Sequence, residues 1–144
     1  IFTGIRSQDC KALTWRNLPI KSGELYIELK TRKRGIDISV PVPPQAHQYL
    51  TKRMGDADLV YPNLKFESYH NNALRMWAYK SGVQKDIHPH MARHSFAAYM
   101  LHKGTPLYNL SKLLGHANMR TTSDRYGHLS KEDTDRAIRE AFKF

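Results

Sequence analysis

The chain has 144 residues, 40% of them hydrophobic, and a single cysteine. That length is enough for one buried core, and no run approaches the roughly 18 apolar residues a membrane helix needs. Cys10 alone excludes both an internal disulfide and a cysteine-based zinc site, and fits a reducing compartment. Lys and Arg (23) outnumber Asp and Glu (13), a net +10 that favours a polyanionic partner such as nucleic acid, the alternative being a basic protein with no particular partner. The cations recur in Lys30–Arg34, around Lys52-Arg53, in Arg93-His94 and between Arg120 and Arg125. A groove lined from several elements has that distribution; a disordered basic tail does not. The chain opens on Ile1 and reads as a piece of a longer protein.

In chain order, residues 1–16 read as a helix, with Ile5, Cys10, Leu13 and Trp15 at mixed three- and four-residue steps. Arg6 falls early on it, three residues before Asp9. Alone, that spacing suits an ordinary surface ion pair worth about 0.3 kcal/mol. Residues 24–29 and 36–42 are β-rich and partly alternating, and Gly35 suits a tight turn between them. The expected hairpin carries Lys30, Arg32, Lys33 and Arg34 at its tip. Such cations commonly keep an edge soluble, but four in five residues also fit a tip reaching into a DNA groove, with Lys30 on the strand shoulder.

Pro43-Pro44 opens a predicted helix to about Arg53, with Ala46, Tyr49 and Leu50 inward and Gly55 at its end. A connector follows, with Leu59-Val60-Tyr61 extended. The next helix, 66–80, buries Leu74, Trp77 and Ala78 and stops at Gly82; both helices read as scaffold. Ile87-His88-Pro89-His90 starts another helix to about Lys103-Gly104, where His90 and Arg93 share a face and Phe96, Ala97, Tyr99, Met100 and Leu101 form the buried side. Pro106 opens a short helix, Leu107 to Leu114, closed by Gly115 where a left-handed cap is wanted, so His116 emerges just past a helix end. Helical pieces follow from Met119 to Arg125 and, after a capping-box-like start, from Ser130 to Phe142. The fold class is mainly α with a small antiparallel β-hairpin or sheet on one side.

Three chemistries compete for the histidine-rich segment. His90 and His94 have i,i+4 metal-ligand spacing, but Met91 stands where a zinc hydrolase would carry its glutamate, and no third carboxylate ligand is evident. Histidines that merely cap or pack are the second reading, and His94, one residue past Arg93, fits it. The third is phosphoryl transfer without a metal. Breaking a phosphodiester needs cations on the non-bridging oxygens, a nucleophile, and an acid for the leaving oxygen. Two arginines, two histidines, a lysine and a tyrosine make that set, and a tyrosine ester is reactive enough for the step to reverse.

Thr3-Gly4-Ile5-Arg6 with Asp9, Lys30, His90-x-x-Arg93-His94, Leu113-Leu114-Gly115-His116 and Tyr126-Gly127-His128 span essentially the whole chain. On these pieces residues 1–144 resemble the catalytic domain of the tyrosine recombinases, the phage-integrase family. The resemblance implies that fold, and site-specific DNA recombination through a covalent 3′-phosphotyrosyl intermediate. It implies that Arg6 and Arg93 clamp the scissile phosphate, that His116 hydrogen-bonds a non-bridging oxygen, and that Lys30 protonates the departing 5′ oxygen. His90 would assist proton transfer at Tyr126, the nucleophile, and Asp9 would support the architecture. Arg32, Lys33, Arg34, Arg120 and Arg125 are candidate DNA contacts. No metal or cofactor is implied; the partner is double-stranded DNA, bound by a homotetramer, with a monomer as the alternative for the isolated domain, in the cytoplasm at the nucleoid of a bacterial or phage-derived system. An N-terminal DNA-clamping domain is expected outside this chain, and the last helix is expected to dock on a neighbour or on its own domain.

This sequence departs from the family pattern in two places. Tyr126 follows His116 by ten residues where nine is usual; the extra residue, expected within Arg120 to Arg125, changes the direction of the tyrosine by about 100° on an unbroken helix, so a loop or irregular turn there is expected to absorb it. Ala92 replaces a common leucine, a packing change. Two other functions remain open: a type IB topoisomerase, which rejoins the original strand, and a DNA-binding regulator with a decayed site.

Overall fold

The computed structural model describes residues 2–65 and 68–129. The expected last helix, Ser130 to Phe142, and the expected helix start at Phe66 lie outside them. Among the described residues, six α-helical segments pack around a small antiparallel sheet: α1 (Ser7–Lys11), β1 (Ile20–Lys21), β2 (Glu24–Lys30), β3 (Asp37–Pro41), α2 (Pro44–His47), α3 (Ser68–Lys80), α4 (Pro89–His102), α5 (Leu107–Leu113) and α6, helical over 120–129.

The N-terminal stretch is not one helix. Arg6 is extended at ψ 148° and acts as the N-cap of α1, and Thr14, also extended, breaks the chain before a 3-10 turn at Trp15–Asn17. The apolar spacing that suggested a helix instead serves two short pieces, held by Asn17. Its Oδ1 accepts from the Thr14 N–H and hydroxyl, and its Nδ2 donates to the Glu28 carbonyl of β2. Strand β1 was not expected. Ser22 and Gly23, with φ of 50° and 83°, form a two-residue turn that pairs Lys21 with Glu24. The β2–β3 hairpin forms as expected, and its register sets Lys30 opposite Asp37.

Helix α2 is far shorter than the proline start suggested. Tyr49 and Leu50 make i to i−3 bonds to Ala46 and His47, tightening the chain out of the helix, and the Thr51 hydroxyl then ties it to the Val60 carbonyl. Ala46 is buried as expected, but Tyr49 is exposed. Trp77 and Tyr99 also face solvent, because Ala78 of α3 and Phe96, Ala97 and Leu101 of α4 supply the inward faces.

Helices α3, α4 and α5 end alike. In each, a glycine at positive φ (Gly82, Gly104, Gly115) donates to the carbonyl three residues back, and the following residue reaches back five. Two apolar clusters result. Leu13, Leu18, Ile27, Val42, Ala46 and Val60 fill one under the sheet; Phe96, Ala97, Leu101, Leu110, Leu114 and Tyr126 fill the other between α4, α5 and α6. Leu13, Leu110 and Leu114 are fully buried, each worth about 2–3 kcal/mol of burial. The functional candidates lie on the seam between the clusters.

Candidate active site

Gly115 sets the seam. Its φ of 57° ends α5, and a Cβ there would stand 2.9 Å from Ile38 Cγ2 and 3.0 Å from Thr31 Cγ2, so only glycine lets α5 approach the hairpin this closely. The same cap fixes the next residue, since His116 N–H donates to the Ser111 carbonyl at 3.0 Å. His116 is therefore held by backbone geometry before its ring makes any contact.

Two arginines reach the same turn from opposite sides. Arg93 of α4 is 5% exposed, donating through Nη1 to the Gly4 carbonyl (2.8 Å) and through Nη2 to the Leu114 carbonyl (2.5 Å). Arg6 donates through Nη2 to the Gly115 carbonyl at 3.3 Å. Its Nη1 stands 3.9 Å from Asp9 Oδ2, and among the described residues both atoms are buried with no hydrogen-bond partner. Asp9, itself buried, uses Oδ1 to accept the Arg32 backbone N–H at 2.9 Å, tying α1 to the hairpin loop. Burial, then the neighbouring Arg6 cation, brings the Arg93 guanidinium down to about 10. Two cations in one poorly solvated place leave unused N–H donors and excess positive charge, which an oxyanion would satisfy.

His116 completes this corner. Its Nε2 lies 3.1 Å from Arg93 Nη2 and its Nδ1 2.7 Å from the Thr122 hydroxyl. Arginine can only donate, so Nε2 accepts and Nδ1 carries the proton, which it gives to Thr122 Oγ1. Burial, then Arg93, Arg6, Arg125 and Arg34, push the ring down to about 4, so it is neutral near pH 7.

Tyr126 lies 5% exposed on α6. Residues 117–119 are irregular, the Asn118 side chain accepts the Arg120 N–H at 2.8 Å, and the helix is unbroken from 120 onward. The irregular turn thus lies before the helix rather than within Arg120 to Arg125. The Tyr126 hydroxyl stands 2.6 Å from His94 Nδ1. Burial raises the phenol, and the guanidinium groups of Arg125 and Arg93 oppose the rise. His90 sits one turn back, its ring edge-on to His94 with centroids 4.8 Å apart. Burial and neighbouring positive groups lower both imidazoles, keeping them neutral near pH 7.

The structure therefore brings Arg6, Asp9, Arg93, His116 and Tyr126 together, with His90 beside His94 at the tyrosine. Lys30 is set apart. Its side chain is 66% exposed and its only ion-pair partner among the described residues is Asp37, at 3.9 Å. Arg32, Lys33 and Arg34 are exposed at the hairpin tip, and Arg34 is close enough to help hold His116 neutral. Arg120 is exposed and paired with Asp124 at 3.7 Å, while Arg125 is exposed beside the tyrosine.

Two residues differ from the reading of the sequence. His94, read from the sequence as a capping or packing residue, has Tyr126 as its partner, since α6 packs against the face that His90 and His94 share. Their i,i+4 spacing was a legible signal, but of a different chemistry. Thr122 had no signal at all, because only the turn at 117–119 swings it under His116.

Residues 1–133 match the Phage integrase family. The chain is 32% identical over 136 residues to the tyrosine recombinase XerC of Xanthomonas axonopodis pv. citri (strain 306), covering 88% of this chain and 43% of that relative. To the tyrosine recombinase XerD of Lacticaseibacillus casei it is 31% identical over 144 residues, covering 90% and 48%. The chain thus spans less than half the length of these relatives. Among solved structures, the XerH site-specific recombinase bound to palindromic difH in its post-cleavage complex superposes with a TM-score of 0.69 at 22% identity, over 96% of this chain and 42% of that one. The catalytic domain of bacteriophage HP1 integrase superposes with a TM-score of 0.64 at 20% identity, over 95% and 74%. With the sequence match running from residue 1 to residue 133 and the fold shared over nearly the whole chain, the protein belongs to the phage integrase family.

Proposed function

We propose that this chain cleaves and rejoins DNA strands for site-specific recombination, Tyr126 forming the covalent bond to a 3′ phosphate. The observation that carries the reading is the pair of buried guanidinium groups at the Gly115 turn, with Arg6 Nη1 unpartnered among the described residues, one helix away from a neutral buried tyrosine. A phosphodiester set there neutralises the repulsion between Arg6 and Arg93 and takes their free N–H donors, most strongly as charge builds on the non-bridging oxygens. Binding phosphate also draws Arg93 away from His116 Nε2. The Thr122 hydroxyl can turn to donate to Nδ1, freeing Nε2–H to donate to the phosphate.

As Tyr126 Oη bonds to phosphorus, the phosphorus–O5′ bond breaks and the 5′ oxygen leaves with a proton. Lys30 is the donor, and since its side chain is exposed on the hairpin shoulder, the hairpin must fold onto DNA to deliver it. A 5′-hydroxyl from a second strand reverses the step and completes exchange. The exposed cations at the hairpin tip, with Arg120 and Arg125, hold the duplex. Four copies acting on two sites give reciprocal exchange, at the chromosome in the cytoplasm. XerC and XerD relatives are named as recombinases, and the XerH neighbour was solved on its DNA substrate, which supports the same partner here.

Nicked DNA, which traps the covalent intermediate by losing the attacking strand, tests this directly. The full-length protein carrying this chain is expected to form a protein–DNA adduct, and Tyr126→Phe none. An adduct from the Phe variant, or none from the wild type on DNA it binds specifically, would overturn it.

A further inference from the structure

We propose that His94, rather than His90, takes the proton from Tyr126 as its hydroxyl attacks phosphorus. The inference rests on the reading of Tyr126 as the nucleophile and adds a catalytic residue to it.

The geometry separates the two histidines. His94 Nδ1 is 2.6 Å from the Tyr126 hydroxyl, whereas His90 touches only the His94 ring, edge-on. Tyr126 is buried, and its hydroxyl meets His94 and the Arg125 guanidinium; arginine only donates, so among the described residues His94 is the group that can accept the hydroxyl's own proton. A buried O–H must donate somewhere, so it donates to Nδ1, and the ring proton of neutral His94 sits on Nε2. The lone pair needed to receive a proton is already aimed at it, at the distance general-base catalysis requires.

In the step, the Tyr126 O–H bond breaks as the Oη–P bond forms, and the proton moves to Nδ1 to leave an imidazolium. When the bond to tyrosine breaks in the reverse direction, the same imidazolium returns the proton to Oη. Among the described residues, the charged or titratable groups that act on His94 are cationic or become so. They are His88, His90 and Arg93 on or beside α4, and Arg125 on α6, with Tyr126 itself the exception. Free protein therefore keeps His94 unprotonated and able to accept. A phosphate between the arginines offsets that positive field and makes the imidazolium easier to form while substrate is bound.

Single-turnover adduct formation on nicked DNA tests this, with a normal phosphodiester and with one whose bridging 5′ oxygen is sulfur, which leaves without a proton. His94→Ala and His94→Gln are expected to lose about 10²-fold or more on both substrates. Added imidazole should restore His94→Ala, and sulfur should rescue Lys30→Ala alone. On the sulfur substrate the wild-type rate should climb with pH over the range below the ordinary histidine value of 6.5, following deprotonation of a lowered histidine, and that climb should vanish in His94→Gln. The proposal is overturned by a near-wild-type rate in His94→Ala, by a loss that imidazole does not repair and that is equal at every pH, or by a wild-type profile flat across that range. Imidazole rescue of His90→Ala instead would move the role to His90. Should the alanine variant fail to fold, the wild-type profile and the glutamine variant still decide. An adduct from Tyr126→Phe would overturn the underlying reading instead, independently of His94.

Discussion

Gly4→Ala tests how Arg93 is held. Gly4 has φ of 63°, and a Cβ there would lie 2.3 Å from Phe96 Cδ1 and 2.7 Å from Cε1. A side chain in the left-handed region costs about 1–2 kcal/mol. Phe96 is 8% exposed within the helical cluster, so its ring cannot swing aside freely, and overpacking adds about 1–3 kcal/mol. The expected loss is about 2–5 kcal/mol, or roughly 8–20 °C in melting temperature at about 4 °C per kcal/mol for a chain of this size. Gly104→Ala is the control. Its φ is 81° but nothing lies within 4 Å of the added carbon, so only the backbone cost applies. The difference between the two variants, read by thermal and urea unfolding, isolates the contact with Phe96. Phe96→Leu in the Gly4→Ala background should lose less than the two single changes summed. Because the Gly4 carbonyl receives Arg93 Nη1, cleavage should fall even where Gly4→Ala remains folded. Equal losses in Gly4→Ala and Gly104→Ala would refute the reasoning.

Thr122→Val keeps the shape but removes the partner of His116 Nδ1, so adduct formation should drop about 10-fold while Thr122→Ser stays near wild type; equal rates in kinetic assays of the two would exclude a role for the hydroxyl. His116 is lowered from 6.5 to about 4, so the unfolded chain binds the extra proton between those values and stability is lost as pH falls through that window. For a half-buried ring under solvent screening the loss is roughly 1–2 kcal/mol, and His116→Asn should show a smaller change in urea unfolding between pH 7 and pH 4.5 than wild type. Neutralising Lys33 and Arg34 should reduce the slope of log affinity against log salt by about 2 if both touch phosphates, and an unchanged slope would place the tip off the DNA. Asp9→Asn should loosen the hairpin without moving the arginines' carbonyl contacts. It should therefore weaken DNA affinity less than Arg6→Ala does in binding titrations, and a larger loss would give Asp9 a direct electrostatic part.

Local rules made much of this protein legible in advance. The glycines at 82, 104 and 115 end their helices because only a residue without a Cβ enters the left-handed region cheaply, and that chemistry is written in the chain. The β2–β3 hairpin, the buried faces of Ala46, Ala78 and Ala97, and the membership of Arg6, Arg93, His116 and Tyr126 in one constellation were likewise readable from spacing and from family resemblance. Length was not. The helices expected over 1–16 and 44–53 shrank to Ser7–Lys11 and Pro44–His47, since tertiary hydrogen bonds from Asn17 and Thr51 outweigh local propensity in short segments. Trp77 and Tyr99 faced water for the same kind of reason: periodicity marks an apolar stripe but not which part of it finds a neighbour.

The meeting of His94 with Tyr126, and of Thr122 with His116, belongs wholly to the tertiary structure. The first pair is 32 residues apart and the second lies across an irregular turn, and both depend on how α6 lies against α4 and α5. Sequence by itself determined which chemical groups the site owns. Packing about the Gly115 turn decided which nitrogen faces which proton, because hydrogen-bond partners are chosen within a few tenths of an ångström, a scale no spacing in a sequence records.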